Sequence, residues 1–244
     1  MILLLLSAAG FWAGMQNALA GGGSFITFPA LLFAGLDPRA ANITSTIALF
    51  PGQVAICWSG RRAAGGVPGL TLAALITISL AGGAAGALLL LATPAAFFAR
   101  LVPWLVLFAT LVFAFGQPIR RRLPADAHLS PRILAAIQSA IAVYGGYFGG
   151  GIGFLMLAAL TLAGQAIRMA ATTKNLLATV MNSSAFIVFC FSGDVRWPGA
   201  LAMALGSVAG GFTGGWLLLR APEKLLRGAI ILIGTSLTLW LFLR

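Results

Sequence analysis

Charged side chains are scarce in this chain of 244 residues. Only 8% of its residues are charged, of which four are acidic, and a single histidine is present, whereas 60% of the residues are hydrophobic. Soluble domains carry roughly 25% charged residues, and one soluble core could not bury so much apolar surface. We therefore expect an all-α integral membrane protein that has the lipid bilayer as its solvent.

Other scarce features exclude several classes of protein. The two cysteines, Cys57 and Cys190, lie inside apolar segments and predict no disulfide framework. The chain has no Gly-rich phosphate-binding motif followed by lysine, which argues against ATP hydrolysis. The basic residues behind the net charge of +11 are scattered between apolar segments, as expected of anchors at helix ends. We expect no nucleic-acid partner, no metal, no cofactor and no enzymatic activity.

The spacing of the charges predicts about eight transmembrane helices. A spanning helix needs about 20 mostly apolar residues. Seven uncharged stretches reach that length, and the last one reaches it if its flanking arginines extend to the interface. The first stretch is interpreted as a membrane segment and not as a cleaved signal peptide. The stretches are 1–36, 40–60, 63–99, 101–119, 133–167, 175–193, 197–219 and 228–243.

An internal repeat organises the sequence. Five short motifs recur in the same order, among them Gly21–Phe25, which corresponds to Gly149–Gly153. We predict a first transmembrane repeat at 1–116, a polar linker at 117–132 and a second repeat at 133–244. Secondary transporters are commonly built from duplicated halves, so the repeat favours transport.

The orientation of the repeats depends on the number of spans in each half. Four spans per half give parallel repeats, whereas an odd number gives inverted ones. In an eight-span plan the basic residues divide almost equally between the two sides. The Arg120–Arg122 cluster then favours a cytoplasmic linker and cytoplasmic termini.

Two glycine clusters are predicted to break their helices near 21–23 and 149–151. Glycine permits irregular backbone, which persists in a bilayer only beside protein or a water-filled cavity. The half-helix after each break would present N–H groups and a positive dipole end, which suit an anion. Close helix packing is the alternative role of these glycines. The candidate ligands from the breaks are Gly22, Gly23, Ser24, Gly150 and Gly151.

A polar stripe follows the second break. Thr172, Asn175, Thr179 and Asn182 are spaced to share one helix face, and Lys174 lies beside them. Polar residues at membrane depth commonly mark a pathway, although they also join helices by hydrogen bonds. Lys174 either supplies a fixed positive charge or extends to the interface. With their counterparts in the first half, the candidate ligands are Asn42, Thr44, Ser45, Gln53, Lys174, Asn175 and Asn182.

These residues resemble the TauE/SafE family of sulfite and organosulfonate exporters. The resemblance covers essentially the whole chain. It implies a secondary transporter of the bacterial inner membrane that moves a small anion such as sulfite, thiosulfate or sulfoacetate. A homo-oligomer is compatible with it. The matching segments are Ala20–Pro29, Asn42–Ser45, Pro51–Gly52, Gly149–Phe154, Lys174–Asn175 and Asn182.

Three alternatives stay open at this point, and one of them is a non-transporting assembly or scaffold subunit, which would move no anion. An anion channel of the same architecture would carry the same sequence features. A sulfur-relay membrane protein would instead use Cys57 and Cys190, which occupy equivalent positions in the two repeats.

Overall fold

The computed structural model describes residues 1–19, 22–122, 129–217 and 223–243. These ranges hold ten α-helices and one short 3-10 helix, and no β-strand occurs in them, which confirms the predicted all-α fold. Gly21 and residues 123–128 of the predicted linker lie outside the described residues.

The helices follow the same order of long and short elements in each half of the chain. Eight have 17 to 28 residues, whereas α2 and α7 have 10 and 11. A 3-10 turn, Arg61–Ala63, follows α3. The helices are α1 (Ile2–Leu19), α2 (Ser24–Phe33), α3 (Pro38–Gly60), α4 (Leu72–Ala92), α5 (Ala95–Arg122), α6 (Pro131–Tyr147), α7 (Ile152–Leu162), α8 (Ile167–Cys190), α9 (Trp197–Leu217) and α10 (Glu223–Leu243).

Three of the described helices are long and apolar enough to cross a membrane. They contain the segments Pro38–Trp58, Leu72–Ala92 and Ala95–Gly116, and four shorter apolar helical segments accompany them. Apolar helices of this length fit the bilayer. The number of eight spans stays a prediction.

Both predicted helix breaks are present. Gly22 lies between α1 and α2 with a φ of +85°, and Gly149 and Gly151 lie between α6 and α7 with φ of +82° and +79°. Residues with side chains rarely adopt this left-handed backbone, which explains the need for glycine. Nearby side chains satisfy the unwound backbone: Asn17 Oδ1 accepts from the Gly23 N–H at 2.7 Å, and the Tyr144 hydroxyl donates to the Gly150 carbonyl at 2.8 Å.

Close backbone contacts show that α1 runs parallel to α9. A Cβ on Gly10 would clash with the Met203 carbonyl oxygen, and one on Gly14 would clash with that of Ser207. From the first contact to the second, the residue number rises by four on both helices. Small residues permit such an approach between helices at membrane depth.

The helices α4 and α6 form a second parallel pair across the halves. Gln138 donates to the Ser79 hydroxyl at 2.9 Å, and a Cβ on Gly86 would meet the Val143 carbonyl oxygen. The first helix of each half therefore packs against a later helix of the other half.

The long helices α3 and α8 run antiparallel. Asn182 hydrogen-bonds Gln53 near their middles, and Arg39 at the start of α3 pairs with Asp194, which follows α8. We call the region around Arg39 and Asp194 the terminal end, because α1 begins and α10 ends there. We call the opposite region, around Gly65 and Leu129, the linker end.

Helices α1 to α5 and helices α6 to α10 run through the molecule in opposite directions. Helix α1 runs from the terminal end toward the linker end, and α2 turns back toward the terminal end. Helices α3, α4 and α5 then cross between the two ends in alternating directions. Helices α6 to α10 follow the same order but start from the linker end. The residues that flank the linker thus lie opposite the two termini, contrary to the expectation that linker and termini share one side. The physical reason is that α2 and α7 reverse the chain at the glycine breaks.

Candidate functional site

A cavity lies in the middle of the helices, between α3, α8 and the two glycine breaks. Its volume is about 70 Å³, measured as the space open to the centre of a water-sized sphere. One water needs roughly 10–15 Å³ by this measure, so the cavity has room for several waters or for a compact anion. Its lining residues are Asn17, Gly22, Ser24, Ser45, Thr46, Leu49, Gln53, Ile56, Phe148, Gly149, Ile152, Gly153, Lys174, Asn175, Ala178, Thr179 and Asn182.

The cavity brings together predicted ligands that are distant in sequence. Three residues of the predicted stripe on α8, Asn175, Thr179 and Asn182, face it. The fourth, Thr172, does not, and its hydroxyl donates to the Met169 carbonyl of its own helix at 2.8 Å. The predicted ligands that line the cavity are Gly22, Ser24, Ser45, Gln53, Lys174, Asn175 and Asn182.

A pair of amides crosses the cavity from one half to the other. Asn182 Nδ2 donates to Gln53 Oε1 at 2.7 Å. Since Gln53 accepts through its amide oxygen, its amide N–H groups remain available to a further acceptor. Asn182 therefore holds a donor of α3 in a fixed orientation at the wall of the cavity.

Lys174 gives the cavity its charge. It lies two turns inside α8, and it is the charged side chain among the described residues that line the cavity; none of these residues is a carboxylate. The first residues of α2 and α7, namely Ser24, Ile152 and Gly153, also line the cavity. A positive dipole end, an ammonium and several neutral donors together favour an anion.

A much smaller cavity lies next to the central one, and Ser24 and Phe148 line both. It offers about 10 Å³ by the same measure, enough for a single water. Two further predicted ligands, Asn42 and Gly150, line it. Asn42 Nδ2 donates to the Tyr147 carbonyl at 3.0 Å, which ties α3 to the end of α6.

Three predicted ligands line neither cavity. Gly23 precedes α2, and its backbone is used by Asn17 and Thr27. Thr44 is fully buried, and its hydroxyl accepts from the Arg196 N–H at 3.1 Å. Gly151 packs against Ala109 of α5. The contacts that the structure gives these three residues are to neighbouring protein groups.

Sequence reasoning missed Asn17, Thr46 and Phe148. Asn17 lies just before the first glycine cluster, so a polar residue at that position in an apolar helix was the available signal. Thr46 lies in the polar run 42–46. Phe148 gives no such signal, because phenylalanine is common throughout this chain.

The two cysteines do not meet. Cys57 is buried toward the linker end of α3, and Cys190 is half-buried at the other end of α8; they form no disulfide. Neither lines the central cavity. In the residues that the structure describes, no group of three or more His, Cys, Asp or Glu could hold a metal ion.

The sequence of this chain is similar to those of known membrane transporters. Residues 6–241 match the family described as "Sulfite exporter TauE/SafE". A "Probable membrane transporter protein" of Haemophilus influenzae is 30% identical, over 97% of this chain and 93% of its own length. "Probable membrane transporter protein ORF9" of a Sinorhizobium species is also 30% identical, over 98% of this chain and 91% of its own length.

A third relative, "Probable membrane transporter protein YfcA" of Escherichia coli K12, is 28% identical over 98% of this chain and 88% of its own length. No solved structure matches the chain. The chain therefore belongs to the TauE/SafE family of membrane transporters.

Proposed function

We propose that this protein is a secondary transporter that carries a small anion through the central cavity. The observation that supports this most directly is the composition of the cavity wall. Lys174, the Gln53–Asn182 amide pair and the first residues of two half-helices surround a space with no carboxylate among its described lining. Such a site suits an anion, and separate weak donors also allow it to leave.

The architecture we propose for transport has two homologous halves around that cavity. Each half contributes four long helices and one short helix, so that eight long helices lie in the bilayer of a bacterial inner membrane. The pairing of α1 with α9 and of α4 with α6 supports this, because each half holds the first helix of the other. Rocking of the halves would expose the cavity alternately to the two sides.

The substrate class we propose is a sulfur oxyanion or an organosulfonate, such as sulfite, thiosulfate or sulfoacetate. The description of the family, "Sulfite exporter TauE/SafE", supports this class. The small size of the cavity and its single ammonium are compatible with compact anions of this kind.

The test is flux of sulfite and of thiosulfate into proteoliposomes that contain the purified protein. We expect saturable flux in the wild type. In Lys174→Ala we expect a loss of at least about tenfold, which corresponds to about 1.4 kcal/mol of lost interaction with the anion. Equal flux in both would remove Lys174 from the site. An absence of flux for these ions, for chloride and for sulfonates would overturn the proposal.

A channel and a sulfur relay make different predictions in the same vesicles. A carrier gives counterflow, in which unlabelled anion inside accelerates uptake of labelled anion, whereas an open pore does not. The double variant Cys57→Ser/Cys190→Ser should transport normally in our proposal. Loss of transport in a folded double variant would favour the relay instead.

A further inference from the structure

The two ends of the molecule carry very different numbers of basic residues. Along the described backbone, nine lie at the linker end and three at the terminal end. One of those three, Arg39, is in an ion pair with Asp194 at 2.9 Å. Basic residues at helix ends accumulate on the cytoplasmic side of membrane proteins. Those at the linker end are Arg61, Arg62, Arg120, Arg121, Arg122, Arg132, Arg168, Lys224 and Arg227, and those at the terminal end are Arg39, Arg100 and Arg196.

The central cavity is exposed toward the linker end. On α8, the cavity-lining positions nearest that end, Lys174 and Asn175, are both partly exposed. Their counterparts on α3 lie toward the terminal end and are buried: Thr44 and Ser45 are 0% and 2% exposed. Of the positions that line the central cavity, Lys174 and Asn175 on α8 are therefore more accessible than Ser45 on α3.

Several contacts close the terminal end. The hydroxyls of Thr27 and Ser45 share a hydrogen bond of 2.6 Å, and the rings of Phe28 and Phe148 meet edge to face at 5.9 Å. One turn closer to the start of α3, the Asn42 amide donates a hydrogen bond to the Tyr147 carbonyl. These contacts join α2 to α3, and α3 to the second glycine break, so they separate the cavity from the terminal end.

From these observations we infer the membrane orientation of the protein and the state of its cavity. The linker end faces the cytoplasm, residues 1 and 243 lie on the outer side, and the structure is the state in which the cavity is open to the cytoplasm. Lys174 then stands on the cytoplasmic approach. The layer of Thr27, Phe28, Asn42 and Phe148 is the outer gate, which must part when the cavity opens outward. The inference that the structure is one state of a transport cycle rests on the proposed transport function, whereas the inferred orientation does not.

The experiment uses single cysteines in the full chain with both native cysteines changed to serine. Arg62→Cys marks the linker end and Arg100→Cys marks the terminal end, and both positions are exposed. We expect a membrane-impermeant maleimide to label Arg62→Cys only in inside-out vesicles and Arg100→Cys only in right-side-out vesicles. The reverse pattern would overturn the orientation. Labelling of both from one side would overturn the orientation, because it would mean that α4 does not separate the two positions.

The cavity is tested in the same vesicles with Lys174→Cys and its buried counterpart Thr44→Cys. We expect labelling of Lys174→Cys from the cytoplasmic side and at least tenfold slower labelling of Thr44→Cys from either side. Asn175→Cys serves as the second position if Lys174→Cys is not stable in the membrane. Labelling of position 174 or 175 from outside alone would overturn the inferred state. None of these readouts needs transport, so a failure of the flux assay stays distinct from a failure here.

Discussion

The helices α3 and α8 line the same cavity from equivalent positions of the two halves, yet they contribute differently to it. On α8 the stripe carries an ammonium and two amides at partly exposed or cavity-lining positions. On α3 the equivalent stretch is neutral, and Thr44 stands at the position of Lys174. The hydroxyls of α3 are used in contacts within the protein, to Thr27 and to the backbone of Arg196.

This difference teaches that two long helices at corresponding places in the helix order can supply different groups to one cavity. Helix α8 supplies the charge, whereas α3 supplies the amide donors of Gln53 and the contacts that close one end. Substitutions at paired positions on the two helices should therefore give unequal effects, which four experiments can measure.

The largest effect is expected from Lys174→Glu. At a separation of about 4 Å, two unit charges interact by about 4 kcal/mol at an effective dielectric constant of 20, and the substitution turns attraction into repulsion. We expect sulfite flux in proteoliposomes to fall by more than about 100-fold. The control is Arg168→Glu on the same helix, which is exposed and screened by salt and should change flux less than about twofold. Substantial flux in Lys174→Glu would contradict the role of the ammonium.

The amide pair comes next. Asn182→Ala leaves Gln53 Oε1 without its partner and frees the amide to rotate. A typical hydrogen bond contributes about 0.5–1.5 kcal/mol, so weakening the donor of Gln53 should raise the half-saturating anion concentration by up to about tenfold. Thr172→Ala is the matched control, because that hydroxyl bonds only its own helix. Equal kinetics in the two variants would argue that the pair has no part in binding.

A smaller effect, on stability, is expected at the α3 position equivalent to Asn182. A Cβ on Gly52 would lie 2.8 Å from the Ser207 carbonyl oxygen of α9. Gly52→Ala should therefore destabilise the fold by about 1–3 kcal/mol through overpacking. The midpoint of thermal unfolding in detergent reports this. Gly116→Ala has nothing within 4 Å of the new Cβ and should not lower the midpoint; a similar loss in both variants would mean that crowding is not the cause.

The smallest effect is expected from Asp194→Asn at the terminal end. The ion pair with Arg39 is about a quarter exposed on both sides, and such pairs contribute at most about 1 kcal/mol. Flux should change by less than about threefold. A loss as large as that of Lys174→Glu would show that the terminal end takes part in binding the anion.

The sequence was a good guide to the glycine breaks and to the stripe on α8. Both signals are local: only glycine tolerates the φ of Gly22 and Gly149, and Asn175, Thr179 and Asn182 repeat at helical spacing. The direction of the two halves was not predictable in this way. It depends on whether the chain reverses after each break, and the apolar composition of α2 and α7 is the same in either case.

The assignment of individual ligands shows a similar limit. Sequence spacing identifies which polar residues share a helix, but not which neighbour uses them. Thr44 looked equivalent to Lys174, yet its hydroxyl is taken by the N–H of Arg196, a residue 152 positions away. The pairing of α1 with α9 was also out of reach, because small residues on an apolar helix carry no information about their partner.

The contact between α1 and α9 also sets the order in which the protein can be assembled. Gly10 and Met203 are nearly the whole chain apart, and a ribosome adds roughly 5–20 residues each second, so α1 waits about 10 to 40 seconds for its partner. During that time its glycine face is covered only by lipid or by the insertion machinery. The helices α4 and α6 are synthesised closer together in time, so they can pack against each other while α1 still lacks its partner α9.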